Sequence, residues 1–307
     1  MDRRTHSPRS ALRILFIATM LIALPALVQA KVPVVVSIVP QQFFVERIGG
    51  EFVDVSVMVQ PGASPATYEP KPRQMAALSG ATLYFAIGVP FENAWLPRIQ
   101  AANPAMKIVY MDKGVHKLPM AEHHHENKAG HEEHKQSMND EQGGLDPHVW
   151  LSPMLMKHMG ITIRKELSKA DPAHAAIFRT NFAELEKEID ALDRELMDVF
   201  APIPQEKRIF MVFHPSWGYF AMNYSLKQVP IEYEGKEPTP RILKELMEEA
   251  AGMNVRTIFV QPQFARKSAE AIAAHINGSV VVADPLAYDW FANLREVARN
   301  LAVSFNQ

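Results

Sequence analysis

The 307-residue chain carries 32 Lys and Arg against 34 Asp and Glu, a formal net charge of -2, with 48% hydrophobic and 21% charged residues. That balance is globular and the length suits two domains, while the lack of a basic excess argues against nucleic acid or anionic lipid as a partner. There are no cysteines, so disulfides, thiolate metal ligands and a lipidated-cysteine anchor are excluded.

At the N-terminus, Arg3, Arg4, Arg9 and Arg13 flank the start of an apolar stretch from Ile14 to Val28, and Val28-Gln29-Ala30 closes it before Lys31. Residues 1–30 therefore read as a secretory signal, removed near Ala30 to leave a product outside the cytoplasm. A membrane anchor is the alternative, but Pro25 and a length of about 15 apolar residues fall short of the roughly 20 that span a bilayer.

Short β-branched runs then recur between helical patterns. They are Val34–Val39, Val53–Val59, Leu83–Ile87 and Ile108–Met111, followed by Ile209–Phe213, Val229–Tyr233, Thr257–Val260 and Val280–Ala283. Near-continuous apolar runs of this length suit parallel strands buried on both faces, with the intervening helices as crossovers. The expected fold is α/β: two lobes, residues 31–170 and 201–307, each with a mainly parallel four-stranded sheet flanked by helices.

Between the two sets, Phe178, Phe182, Leu185, Ile189, Leu192, Leu196 and Val199 repeat at steps of four and three, one apolar stripe on a long helix predicted over 171–200. Asp171-Pro172 supplies an N-cap and a proline at the first helical position, and Pro202 and Pro204 stop it. About 30 residues at 1.5 Å each reach roughly 45 Å, enough for a rigid strut across both lobes. A coiled-coil dimer is the competing reading of the same spacing.

Residues from about 120 to 143 contain almost no apolar side chains and read as a flexible loop. The loop holds His123, His124, His125, His131 and His134, and Asp146-Pro147-His148-Val-Trp150 follows at once. Imidazole suits zinc, copper, nickel or iron, whereas magnesium and calcium prefer oxygen, so a transition metal is indicated. The loop is either an auxiliary metal collector or a solvated linker that binds metal adventitiously.

Ligand sites in open α/β sheets lie beyond the carboxyl ends of the strands. His214 follows the run ending at Phe213, and Asp284 follows the run ending at Ala283, so both fall at one end of the second sheet. His148 belongs to the first lobe, in a Pro-bounded turn before a helix starting at Ser152. Two imidazoles and a carboxylate form a plausible zinc set bridging the lobes, with a fourth donor still to be supplied. Of the remaining histidines, His158, His174 and His275 lie in helical patterns and read as surface or half-buried residues, and His116 borders the loop. The 16 methionines read as core filling.

Several motifs in order carry a family resemblance: Pro61-Gly-Ala-Ser-Pro65 with Tyr68-Glu69-Pro70, Asp146-Pro147-His148-Val-Trp150, Phe213-His214-Pro-Ser-Trp-Gly218-Tyr219-Phe220, Glu237-Pro238-Thr-Pro240, Gln261-Pro262-Gln263-Phe264 and Asp284-Pro285-Leu286. From about Val32 to Asn300 the chain resembles the zinc and manganese solute-binding proteins of bacterial ABC importers, the TroA-like group. The resemblance implies a periplasmic, monomeric, non-enzymatic receptor that binds metal between two lobes at His148, His214 and Asp284 and delivers it to a permease. Histidine at 214 implies zinc over manganese or iron, and the histidine-rich loop resembles the insert of zinc-specific members. One departure stands out. The family motif reads Pro-His-x-Tyr-Glu-Pro, and here Ala66 occupies the histidine position. A loop histidine is the preferred replacement, with Glu69 and Tyr68 behind it.

Two other function classes remain in play. Three protein ligands plus water would also serve a zinc metallo-hydrolase, with Glu69 as the one visible base. A metal buffer, chaperone or adhesion protein would use the loop and dispense with the interface site. For the receptor, neutral histidines are needed, so affinity should fall between about pH 7 and 5.

Overall fold

The computed structural model describes residues 30–121, 144–232 and 236–307. The expected signal segment up to residue 29 and the loop histidines His123, His124, His125, His131 and His134 lie outside the described residues.

Each of the eight expected runs contributes a strand. In the first lobe β1 (Val32–Val36), α1 (Val39–Gly49), β2 (Val53–Val57), α2 (Pro72–Ala77), β3 (Leu83–Ala86), α3 (Pro90–Ala102) and β4 (Lys107–Tyr110) alternate, and the strands pair in parallel in the order β2-β1-β3-β4. Next come α4 (Pro153–Ala170) and α5 (Ala175–Phe200). The second lobe repeats the design with β5 (Ile209–Val212), α6 (Gly218–Asn223), β6 (Lys227–Pro230), α7 (Pro240–Gly252), β7 (Thr257–Val260), α8 (Lys267–His275) and β8 (Ser279–Val282), in the parallel order β6-β5-β7-β8, and ends on α9 (Trp290–Phe305).

The interior strands β3 and β7 are buried at every position, as near-continuous apolar runs require, whereas the edge strands β4 and β8 are largely open and Val282 is 45% exposed. The first strand ends earlier than its run suggests. The Gln41 side chain accepts from the backbone amides of Ser37 and Ile38, both at 3.0 Å, so the chain turns there and Val39 already opens α1. The run Val229–Tyr233 is likewise shifted: β6 spans Lys227–Pro230, and Ile231 continues the pairing through its amide to Val212 O at 2.9 Å.

The linking helix starts later than predicted. Asp171 does not cap it; its carboxylate lies 2.6 Å from His174 Nδ1, and Pro172–His174 form a 3-10 turn before α5 begins at Ala175. His174 is half-buried and stacks on Phe52, centroids 3.8 Å apart. The stripe is buried at Phe178, Phe182, Leu185, Ile189, Leu192 and Leu196, and Phe200 rather than the half-buried Val199 closes it. It packs on α1, α4 and α9 of the same chain, so the apolar face that suggested a coiled-coil partner is already covered. No described helix is long and apolar enough to cross a membrane.

The core is continuous between the lobes. One apolar cluster runs from the first sheet through α4, α5 and α9 to Phe210, Val212 and Phe259 on one face of the second sheet. A second cluster, with Met211, Ile258 and Val260, fills the opposite face against α7 and α8. Polar staples add to this: Trp150 Nε1 donates to Pro285 O at 2.7 Å, Trp290 Nε1 to Trp150 O at 2.8 Å, and Tyr219 Oη to Asp146 O at 2.9 Å.

Candidate metal centre

His148 is presented by a short turn. Asp146 Oδ1 accepts the His148 backbone N–H at 2.9 Å, an Asx turn favoured by the intervening proline, and the same oxygen sits 2.7 Å from His148 Nδ1. A carboxylate only accepts, so the proton is on Nδ1 and the lone pair is on Nε2. The side chain is buried, and that burial pushes the His148 pKa below its usual 6.5 against the opposing pull of Asp146.

His214 leaves the carboxyl end of β5. Its backbone is clamped by Gln261, which accepts from the His214 amide at 3.1 Å and donates to the His214 carbonyl at 2.5 Å. Its ring stacks on Phe264 with centroids 5.0 Å apart, and Nδ1 is 2.9 Å from Glu232 Oε1. In the neutral imidazole, donation from Nδ1 to that carboxylate leaves Nε2 as the acceptor.

The two Nε2 atoms meet across the lobes at 3.3 Å. With both imidazoles neutral, two lone pairs face each other there, an arrangement that a cation between them would relieve. Tetrahedral zinc with Zn–N bonds of 2.0–2.1 Å would hold two nitrogens about 3.3–3.4 Å apart. Carboxylates on both Nδ1 atoms fix the tautomers and raise ligand basicity, the usual outer support of metal-bound histidine.

Asp284 is close by but differently engaged. Its Oδ1 accepts from the Leu286 amide at 2.9 Å and from Gln263 Nε2 at 3.0 Å. Among the described residues no three His, Asp, Glu or Cys side chains converge on one point. The structure thus brings His148 and His214 together and leaves the Asp284 carboxylate in its own turn.

A cavity of about 230 Å3 opens beside the pair, outside the carboxyl ends of both sheets, with Ala66, Gln263, Phe264, Pro285 and Leu286 in its wall. Tyr68 and Glu69 are not among its lining residues; Tyr68 packs edge-on against Phe91 and donates its hydroxyl to Gln74 Oε1 at 2.5 Å, as a structural residue would. His158, His275 and His116 are exposed, away from the pair.

Glu232 stood in no motif, and Gln261 and Asp146 stood in theirs with no role assigned. The signal for Glu232 was a lone carboxylate at the end of an apolar strand run. Gly218 was quoted only as part of a motif; a Cβ there would stand 2.6 Å from Asp146 Oδ2, so the second lobe needs a bare backbone where the first lobe's carboxylate lies.

The model of the zinc-uptake complex component A, periplasmic (ZnuA) family matches residues 34–303. The chain belongs to that family. Its fold agrees with a crystal structure of ZnuA at TM-score 0.80 and 43% identity, covering 90% of this chain and 99% of the other. The high-affinity zinc uptake system protein ZnuA of Bacillus subtilis is 27% identical over 260 residues, 83% of this chain and 79% of that protein. The zinc-binding protein AdcA of Streptococcus pyogenes is 27% identical over 267 residues, and the chain spans only 51% of its length.

Proposed function

We propose that this ZnuA-family chain is the zinc receptor of an ABC importer, binding the ion between its two lobes and passing it to a membrane permease. The observation that carries the reading is the pair of Nε2 acceptors from different lobes held 3.3 Å apart, each ring fixed by a carboxylate on Nδ1. His148 and His214 supply two bonds, and Asp284 supplies the third by releasing Gln263. The receptor works as a monomer in the periplasm after cleavage near Ala30.

A receptor is also favoured over a hydrolase by where the carboxylates are spent. Asp146 and Glu232 are bound to the histidines, and Glu69 does not line the cavity, so neither reading of a general base gains support.

The test is a zinc titration against a competing chelator using the chain from Lys31 onward. One ion per chain is expected, with His148→Ala and His214→Ala each weakening binding by about a hundredfold or more. Full affinity in both variants would overturn the reading, and so would several equivalent weak ions.

A further inference from the structure

The space beside the histidine pair is larger than an ion requires. At about 230 Å3 it could hold about eight waters at their liquid volume of ~30 Å3, whereas a zinc ion lies within 2.0–2.1 Å of its donors. The protein's own donors are few. Two imidazoles converge, the Asp284 carboxylate is held by Gln263 and the Leu286 amide, and no third acidic or histidine side chain joins them among the described residues. Ala66, on the wall of the same cavity, ends in a methyl group and can donate nothing.

Water alone suits this space poorly. An ordered water asks for two to four polar partners, which Ser64, Gln263 and the two histidines can give on one side, whereas the side chains of Val89, Leu145, Phe264 and Leu286 on the other offer none. A small organic molecule meets both conditions, because one donor atom can bind the metal while a compact body displaces unsatisfied water from the apolar wall. Leaving the cavity open at Ala66 then becomes a specificity feature, since any larger side chain there would occupy the volume the ligand needs.

We propose that this site takes zinc together with a small organic chelator of the amino-acid class, whose nitrogen or carboxylate fills the coordination position beside Ala66 to which no side chain among the described residues donates. This rests on the zinc-receptor reading above. The complex forms by coordination alone: the chelator's donor replaces a water on the metal, and no covalent bond is made or broken.

Equilibrium dialysis of the chain from Lys31 onward tests it, using radiolabelled L-histidine, L-cysteine and citrate in turn, with and without one equivalent of zinc. We expect about one equivalent of an amino-acid chelator retained when zinc is present and none when it is absent. Ala66→His should cut that retention about tenfold or more while tightening binding of zinc alone, because the protein then supplies the donor. Leu286→Trp, which fills the cavity without adding a strong ligand, should also abolish retention. The visible spectrum of the cobalt(II)-loaded protein should change on adding the retained amino acid, and stay unchanged in the Ala66→His variant. One tightly bound zinc with none of the three probes retained overturns the inference and leaves the zinc reading intact. Zinc-dependent retention of citrate alone refutes the amino-acid class, and failure to bind zinc with or without any probe overturns both.

Discussion

Two imidazole nitrogens held 3.3 Å apart offer an arriving cation two donors at once, and the residues behind them set how strongly. Glu232→Gln keeps an acceptor for His214 Nδ1 but removes its charge, so zinc affinity should drop about tenfold with little change in thermal stability. Unchanged affinity would show that the carboxylate serves folding alone. At Gly218, an alanine methyl would push on an Asp146 carboxylate already pinned to His148, so Gly218→Ala should weaken zinc binding by turning that imidazole. A titration alongside Gly80→Ala, where a Cβ meets nothing within 4 Å, separates the effect from a general cost of removing glycine. For pH, the His148 pKa in the fold lies below the 6.5 of the free side chain. Below pH 6.5 the unfolded chain takes up a proton that the folded chain refuses, so stability of the metal-free protein falls as pH drops until the folded value is passed. Urea unfolding at pH 7.5 and 5.5 should show that loss, and His148→Asn should lessen it. The same depression shifts His148's share of proton competition with zinc toward the acid end of the pH 7 to 5 window expected from composition. His148 and His214, which the structure brings together, were legible as histidines in a Pro-bounded turn and at a strand end, whereas Asp284, picked by the same kind of pattern, stays in its own turn. The carboxylates that aim the rings were not legible, since Glu232 is 18 positions from His214 and only β-sheet pairing brings them together.

Among the elements, α5 was the most legible, because an alternating four-and-three spacing from Phe178 to Val199 has few structural solutions. Its start was misread for a reason the pattern cannot reveal: Asp171 prefers the His174 imidazole to the backbone amides it would cap, and the chain makes a tighter turn first. What the stripe packs against was also hidden, and there the deciding residue is a glycine. Gly160 in α4 lets the Phe182 ring of α5 lie directly on the backbone; a Cβ would stand 2.6 Å from Phe182 Cε2. Gly160→Ala should therefore cost about 1–3 kcal/mol as the helices move apart, read in chemical denaturation. Leu185→Ala, which instead leaves a void at a fully buried position, should cost about 2–5 kcal/mol. Equal stability of both variants and the parent would mean that α5 is not held by this face. On its outer side α5 reaches each neighbour through an ion pair, Arg47–Glu188 to α1, Lys157–Asp190 to α4 and Arg295–Glu195 to α9. The first and third are solvent-exposed and worth about 0–1 kcal/mol apiece, while Lys157–Asp190 is partly buried, so the set orients the helix more than it stabilises it.

At the scale of the molecule, the two sheets repeat one topology, and the apolar matter between them is continuous. The eight runs announced two α/β lobes because buried parallel strands are apolar throughout. Their fusion was not announced, since it depends on Trp150, Trp290 and Tyr219 meeting partners more than 70 residues away. One cooperative unfolding transition is expected from Lys31 onward, and two separated transitions would contradict a shared core. X-ray scattering with and without zinc should give radii of gyration that agree closely, because opening a cleft would tear both tryptophan bonds. The reciprocal tryptophan link has a further meaning for transport. If the lobes stay joined in this way, the loaded and empty chains share one outline, and a permease partner is expected to sense the rim of the cavity itself. Loaded and empty forms would then differ to their partner mainly in local charge and in the firmness of a few rim segments. Hydrogen exchange should accordingly slow on zinc binding around Leu145–Leu151 and Gln261–Phe264, and hardly at all in α5 or α9.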